Sequence, residues 1–503
     1  MAYVRTVKTA SGASAVQIVW SSRRGARSIE HIGSAHDDTE LAALKAAAAE
    51  RLAGGQTVLD LGVATPVPGG ALPITSSQMT ALWDALCTAY RVLGFEEATG
   101  GDAVFRDLVL GRIIEPTSKL DTIRVLDEVG VGTASYATIK RRLPDYAKPQ
   151  WRQQLSKASA DRASLGPASL VLYDVSTLYF ETDKADGFRE PGFSKERRLE
   201  PQITIGLLTD VTGRPLSLQA FEGNKPETHT MLSVITAFKA AHQLRDVTVV
   251  ADAGMISEDN QIDIAAAGLT FILGARIPRM PQIIAAWRDA HPDRDFEDQQ
   301  IFTQSWPAST SEKARGVPDM AIHYQYCTDR ARRTLRGIDE QVAKAEKTVA
   351  GKTSVKRNRF ITLTGATKSV NRELEAKARA LAGWKGYSTN LTGQTPQFII
   401  SAYHQLWRIE KSFRMSKHDL AARPIYHHLR DSIDAHLNVV FTALAVSHWI
   451  EHHTGWSIKK FIQTARRYRT ITVAAGNQTI TAADPIPTDL RDVLLAIQTG
   501  GAH

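Results

Sequence analysis

Tyr403, Leu406, Glu410, Phe413, Lys417 and Leu420 recur at alternating steps of three and four, the spacing of one stripe along an α-helix that faces a protein interior. Thr395-Pro396 supplies an N-cap and a first-turn proline, and Arg423-Pro424 supplies a stop, so the helix is predicted over 396–422. At about 100° per residue, Tyr403, Glu410 and Lys417, seven apart, line up almost vertically. A carboxylate on such a seam must be paired or bound to a metal, because an isolated buried charge is too costly. An i,i+4 pair with Arg414 is the internal alternative. Asp174 and Asp252 each close an apolar, β-branched strand, LVLYD and VTVVAD. That is where α/β proteins place their sites, and also where plain helix-capping aspartates occur. Three carboxylates converging from two strands and one helix would form a hard-oxygen set suited to magnesium. Two such ions about 4 Å apart can activate a water or a 3′-hydroxyl and stabilise the leaving oxygen of an in-line phosphoryl displacement.

The elements that must position these groups change period along the chain. Residues 1–60 alternate and then become Ala-rich, predicting a small β-hairpin and a helix over Thr39 to Leu52 closed by Gly54-Gly55. Residues 61–160 are mainly helical. There TASYATIKRRLPDY carries Lys140, Arg141 and Arg142 after a Gly130-Val131-Gly132 turn, the outline of a helix-turn-helix DNA reader or of plain bundle structure. Residues 161–280 read as βββαβαβ, with strands at 169–175, 201–208, 215–221, 246–252 and 269–275, an α/β core whose first and fourth strands can lie side by side. Periodicity weakens over 281–394, an insertion that includes the basic run KTSVKRNR. Helical pattern returns over 395–455, where a second helix is marked by Ile433, Leu437, Val440, Phe441 and Leu444. Residues 456–503 form a Thr-, Ala- and Pro-rich, peripheral tail with possible DNA or dimer contacts.

YDVSTLYF, ADAGMIS and YHQLWRIEKSFRMSKHDLAARPIYHH resemble the three catalytic blocks of DDE transposases of bacterial insertion sequences. The last block is similar to the signature of the Tyr-Arg-Glu-Lys subgroup, the IS-four-like superfamily, in its branch with a long insertion before the Glu. Tyr403, Glu410 and Lys417 match its spacing without a gap, and Leu406 stands where the signature has Arg. The resemblance covers about residues 165–450. It implies an RNase H-like core, a mixed five-stranded sheet with flanking helices, interrupted by an insertion domain and preceded by a mainly helical region that binds element ends. It also implies that Asp174 bridges two Mg2+ ions, for which Mn2+ can substitute, that Asp252 holds one and that Glu410 holds the other. Tyr403 and Lys417 would then contact phosphates, with Arg408 or Arg414 replacing the missing signature Arg. Trp407 and Trp384 are candidates for stacking on an unpaired base, with a buried structural role as the alternative.

Charge agrees with a polyanionic partner. The chain carries +8 formally, and the stretch 403–470 holds eleven Lys and Arg against five acids and eight of the fifteen histidines, so the excess surrounds the Glu410 block. Double-stranded DNA, as element terminal inverted repeats and as target, is the expected partner, with a homodimer at synapsis. His427, His428 and His436 suggest surface or phosphate-contacting histidines rather than zinc, because Cys87 and Cys327 offer no ligand spacing. With only two cysteines there is no disulfide framework. No Gly-rich phosphate loop is present, so no nucleotide cofactor is expected. No secretory signal or apolar run of the roughly 18 to 20 residues that span a bilayer is apparent, which predicts a cytoplasmic, nucleoid-associated bacterial protein. Two other readings stay open: an RNase H-like nuclease without strand transfer, and a non-catalytic DNA-binding regulator.

Overall fold

The structure, a computed structural model, describes residues 2–9, 13–21, 27–53, 72–163, 165, 168–181, 184–192, 200–225, 228–252, 258–352, 354, 358–364, 367–423, 425, 427, 429–475 and 478–500. Gly54-Gly55, Pro424, His428, the GMIS of the second block and part of the basic run at 352–359 lie outside them.

The chain divides into two compact units. The first, residues 1–73 with 475–478, has three antiparallel strands, β1 (Ala2–Lys8), β2 (Ser14–Ser21) and β3 (Arg27–Ala35), where two were expected. The helix Asp38–Ala53 covers them, and Val16, Ile18 and Ala48 form their small core.

The second unit holds everything else. It opens with β4 (Ile74–Gln78) and a run of helices that includes Ala103–Ile114, Asp121–Val129 and Tyr136–Tyr146. Five core strands follow: β5 (Ala168–Tyr179), β6 (Gln202–Asp210), β7 (Pro215–Glu222), β8 (Asp246–Ala251) and β9 (Thr270–Ala275). β5 pairs antiparallel with β6 and parallel with β8, and β8 pairs parallel with β9. The first and fourth core strands are therefore neighbours, and the order β7-β6-β5-β8-β9 is that of the expected RNase H-like core.

The sheet does not stop at five strands. β10 (Ile301–Trp306), β11 (Met320–Tyr326) and β14 (Trp384–Thr389) come from the inserted stretch and prolong it to eight in the order β10-β11-β14-β9, while β12 (Ile361–Thr364) and β13 (Thr367–Val370) form a separate hairpin. β14 runs antiparallel to β9 with Gly386 opposite Ala275. The open edge of β9 offered unpaired backbone groups, and the insertion satisfies them.

Alternation assigns the faces of the sheet. Leu172, Leu178, Val250 and Ile272 point into the larger core with Ile399, Ile409 and the residues of the helix Arg430–Thr454. Val171, Tyr173, Val175, Val249 and Phe271 point into the opposite core, under the helix Thr228–Ala241. The helix Arg430–Thr454 is long and apolar enough to span a bilayer, contrary to the sequence reading, but 89% of its apolar window is buried inside this protein. The tail is not peripheral either. β15 (Thr470–Ala475) pairs with β4, β16 (Gln478–Ala483) pairs with β15, and the helix Thr488–Thr499 buries Leu490, Val493 and Ile497 in the larger core.

Candidate active site

The parallel ladder between β5 and β8 ends at the pair Leu172–Val250. Asp174 and Asp252 each lie two residues further along, so both carboxylates project from the same face of the sheet as that pair. Were the register continued, they would stand on neighbouring strands roughly 5 Å apart. Asp252 follows the end of β8, as expected. Asp174 does not close its strand: β5 continues to Tyr179 because β6 goes on pairing with it after β8 has left. The departure of β8 opens the cleft beside Asp174.

Glu410 arrives from above that face, but not on one continuous helix. The segment predicted over 396–422 consists of a helix Pro396–His404, a tightened turn at Gln405, a helix Leu406–Arg414 and a π-helical turn Met415–Asp419. At Gln405 the bonds narrow to i→i−3, with Arg408 N–H donating to the Gln405 carbonyl. At the π turn they widen to i→i−5, with Leu420 N–H donating to the Met415 carbonyl. Ser412 Oγ donates to the Gly213 carbonyl at 2.9 Å and fastens the middle helix to the β6–β7 turn. Gly213 sits at φ +90, and a Cβ there would approach the Arg408 Cβ to 3.1 Å, so glycine is what permits this contact.

A cleft of about 280 Å³ results, lined by Asp174, Asp252, Glu410, Tyr403, Leu406 and Trp407, together with Tyr173, Lys385, His404 and Ile409. Tyr403 Oη donates to Asp252 Oδ1 at 2.8 Å. Burial first, and then that bond to a carboxylate, push the Tyr403 phenol well above its ordinary pKa, so it stays a donor. Asp174 Oδ1 accepts from the Val175 N–H at 2.8 Å. Asp252 and Glu410 are exposed and Asp174 half-buried. Oxygen donors in an open, wet cleft suit a hard divalent cation. Among the described residues, however, no three acidic, His or Cys groups are gathered closely enough to enclose a metal as they stand. The three acids share the cleft without forming a ready-made cage.

Other expected contacts separate. Lys417 does not line the cleft, because the π turn rotates it off the vertical row on which seven-residue spacing had placed it. Arg408 lines a neighbouring hollow of about 440 Å³ with Lys411, His448 and Trp456, and Trp407 forms the wall between the two cavities. Arg414 is exposed and lines neither. Trp407 is 56% exposed, whereas Trp384 is 7% exposed and packs edge-on against Phe296 at 4.8 Å, which makes it a core residue. Lys140 and Arg141 are exposed on the helix Tyr136–Tyr146, with Lys140 over the Tyr136 ring. Arg142 is bonded to Asp102, the N-cap of the helix Ala103–Ile114, and is thereby engaged in packing. His436 is buried, with Nε2 on the Ala422 carbonyl at 3.2 Å, and His427 contacts Lys119.

Sequence reasoning missed Lys385. Its only signal was a lysine inside the apolar strand WKGYST, and nothing in the spacing tied that strand to the carboxylates.

A family model described as transposase DDE domain matches residues 165–446. No curated protein matches the chain. Among solved structures, a piggyBac transposase synaptic complex with hairpin DNA aligns at 10% identity with a TM-score of 0.36, over 77% of this chain and 69% of that one. The matched family span takes in both strand aspartates, the helix that carries Glu410 and more than half of the 503 residues: the chain belongs to the transposase DDE-domain family.

Proposed function

We propose that this transposase cuts DNA at the ends of its element and joins the freed 3′-hydroxyls to target DNA, using Asp174, Asp252 and Glu410 as metal ligands. The observation that carries this reading is the shared cleft: two aspartates in step beyond the last β5–β8 pair, on the face over which Glu410 lies. Mg2+ ions, or Mn2+ in their place, would be held by Asp174, Asp252 and Glu410 and would supply positive charge to the attacking and leaving oxygens.

The chain's own groups prepare that event. Tyr403 holds Asp252 by a hydrogen bond that orients its carboxylate. The carboxylates close around a ligand by side-chain rotation, since they are not gathered beforehand. Trp407, exposed at the rim, offers an indole face to an unpaired base. Exposed Lys140, Arg141 and Arg414 are available to phosphates as rim charges. Two ends must be held together before joining, so a homodimer on DNA is the expected assembly, in a bacterial cytoplasm.

The test uses duplex DNA taken from the genomic sequence that flanks the gene. Asp174→Asn should lose cleavage by on the order of 10³-fold, equivalent to the several kcal/mol of charge stabilisation at stake, while keeping its affinity for the same duplex in a gel shift. Cleavage by the variant at the wild-type rate would refute the assignment. Pre-cut ends incubated with a target plasmid separate transposition from hydrolysis alone, because a nuclease yields no covalent joint product.

A further inference from the structure

The cleft is built from acids, yet its expected substrate is a polyanion. Among the described residues that line it, Lys385 is the one Lys or Arg. Leu406 lines it without charge, and the arginines of that helix lie elsewhere. Lys385 comes from a different element. It sits on β14 one residue before Gly386, which pairs with Ala275 at the end of β9, and so at the same sheet edge where β8 delivers Asp252. Its Nζ lies 4.4 Å from the centre of the Tyr403 ring and 5.8 Å from that of Tyr387. Tyr403 is the residue bonded to Asp252.

Lys385 makes no hydrogen bond or ion pair with the described residues; its ammonium rests on two aromatic faces instead. Burial and the Arg330 guanidinium lower its pKa, against the opposing pull of Asp252 and Glu410. Arg330 itself is turned onto the carbonyls of Gln325 and Gly383. A half-buried ammonium without an anion, beside carboxylates, is poorly satisfied until a phosphate arrives.

We infer that Lys385, supplied by the inserted strand β14, is a catalytic residue that contacts a non-bridging oxygen of the phosphate under attack. This rests on the transposase reading of the same cleft. The lysine offsets charge that builds on the phosphate during displacement, as a fixed cation does in other phosphoryl-transfer sites. It also sets the electrostatic balance of the carboxylates, since removing it leaves them more negative.

Lys385→Met and Lys385→Arg test this with the same flanking duplex under single-turnover conditions. Lys385→Met should cleave about 100- to 1000-fold more slowly at saturating DNA, the range for loss of one charge-stabilising contact to the transition state, with duplex affinity little changed. Lys385→Arg should recover most of that rate, which a folding defect would not allow. Without DNA, Mn2+ titrated by loss of its free electron paramagnetic resonance signal should bind Lys385→Met more tightly than wild type, and Asp174→Asn less tightly. Equal cleavage by Lys385→Met and wild type would overturn the role of Lys385 and leave the transposase reading standing. Unchanged Mn2+ affinity in Lys385→Met would likewise overturn the coupling of Lys385 to the carboxylates. A wild-type protein that cuts no DNA with any divalent ion would instead remove the transposase reading, and this inference with it.

Discussion

In the carboxylate cleft, acids border solvent around one lysine; beyond the C-terminal end of the helical segment that carries Glu410, Arg112, Lys119, His427 and His436, drawn from other elements, are packed together, three of them buried. Arg112 donates to the carbonyls of Leu420, Ala421 and Thr117, and His436 Nε2 faces that of Ala422. Lys119 bonds to His427. Burial, aided by the Arg112 guanidinium, pushes the Lys119 ammonium down to about 7, and burial alone brings Arg112 to about 10. Burial first and then these cations hold His436 well below the usual histidine range. The two regions carry similar chemistry types and differ in access. Carbonyls satisfy the buried Arg112, which pins the chain just after the π turn. The acids of the cleft border solvent instead.

That contrast can be broken most directly at Glu410. Glu410→Gln should cost on the order of 10³-fold in cleavage and leave thermal stability within about 0.5 kcal/mol, as for other exposed positions; a large drop in melting temperature would mean that Glu410 is structural. The two tryptophans divide the other way. Trp384→Ala should destabilise by about 3–5 kcal/mol in denaturant unfolding because it empties an aromatic core, whereas Trp407→Ala should unfold like wild type and weaken DNA binding. Equal stability losses in the two variants would erase the distinction.

A smaller effect is expected at Arg142. Arg142→Ala leaves the buried Asp102 carboxylate without its cation and should cost about 1–3 kcal/mol, seen as a lower urea midpoint. A variant that unfolds normally but loses DNA affinity would return Arg142 to the DNA surface. A pH slope is expected at Lys119 as well. A lysine at about 7 in the folded chain and 10.5 unfolded is charged only in the unfolded state between those values, so the unfolded state binds more protons there. Stability should then rise with pH across that window by up to about 1.4 kcal/mol per unit and level off at its minimum below it, where both states hold the proton. Lys119→Met should flatten this slope, and parallel curves for variant and wild type would count against it.

Much of the core was legible because its signals are local. Strands buried on both faces read as continuous apolar runs, so all five were recognisable, and the two aspartates stood out as charges that interrupt such runs. Glu410 was visible through helical spacing. The π turn was not, because widening a helix by one residue leaves no composition signature, and the error it caused fell on Lys417. Trp384 and Lys385 are adjacent in sequence yet one is buried in an aromatic cluster and the other enters the cleft. Alternation on β14 separates them, but only the pairing of β14 with β9 says which cores lie on either side.

By itself the sequence determined the α/β character, the order of the core strands and the three carboxylates, since each follows from periodicity and from charge placed against it. Only the tertiary structure decided that the inserted strands extend the sheet, that the tail packs its last helix into the core, and that Lys385 rather than Lys417 lines the carboxylate cleft. Those outcomes depend on which edges pair and where one ladder ends before another, contacts between residues far apart in the chain that no local pattern encodes.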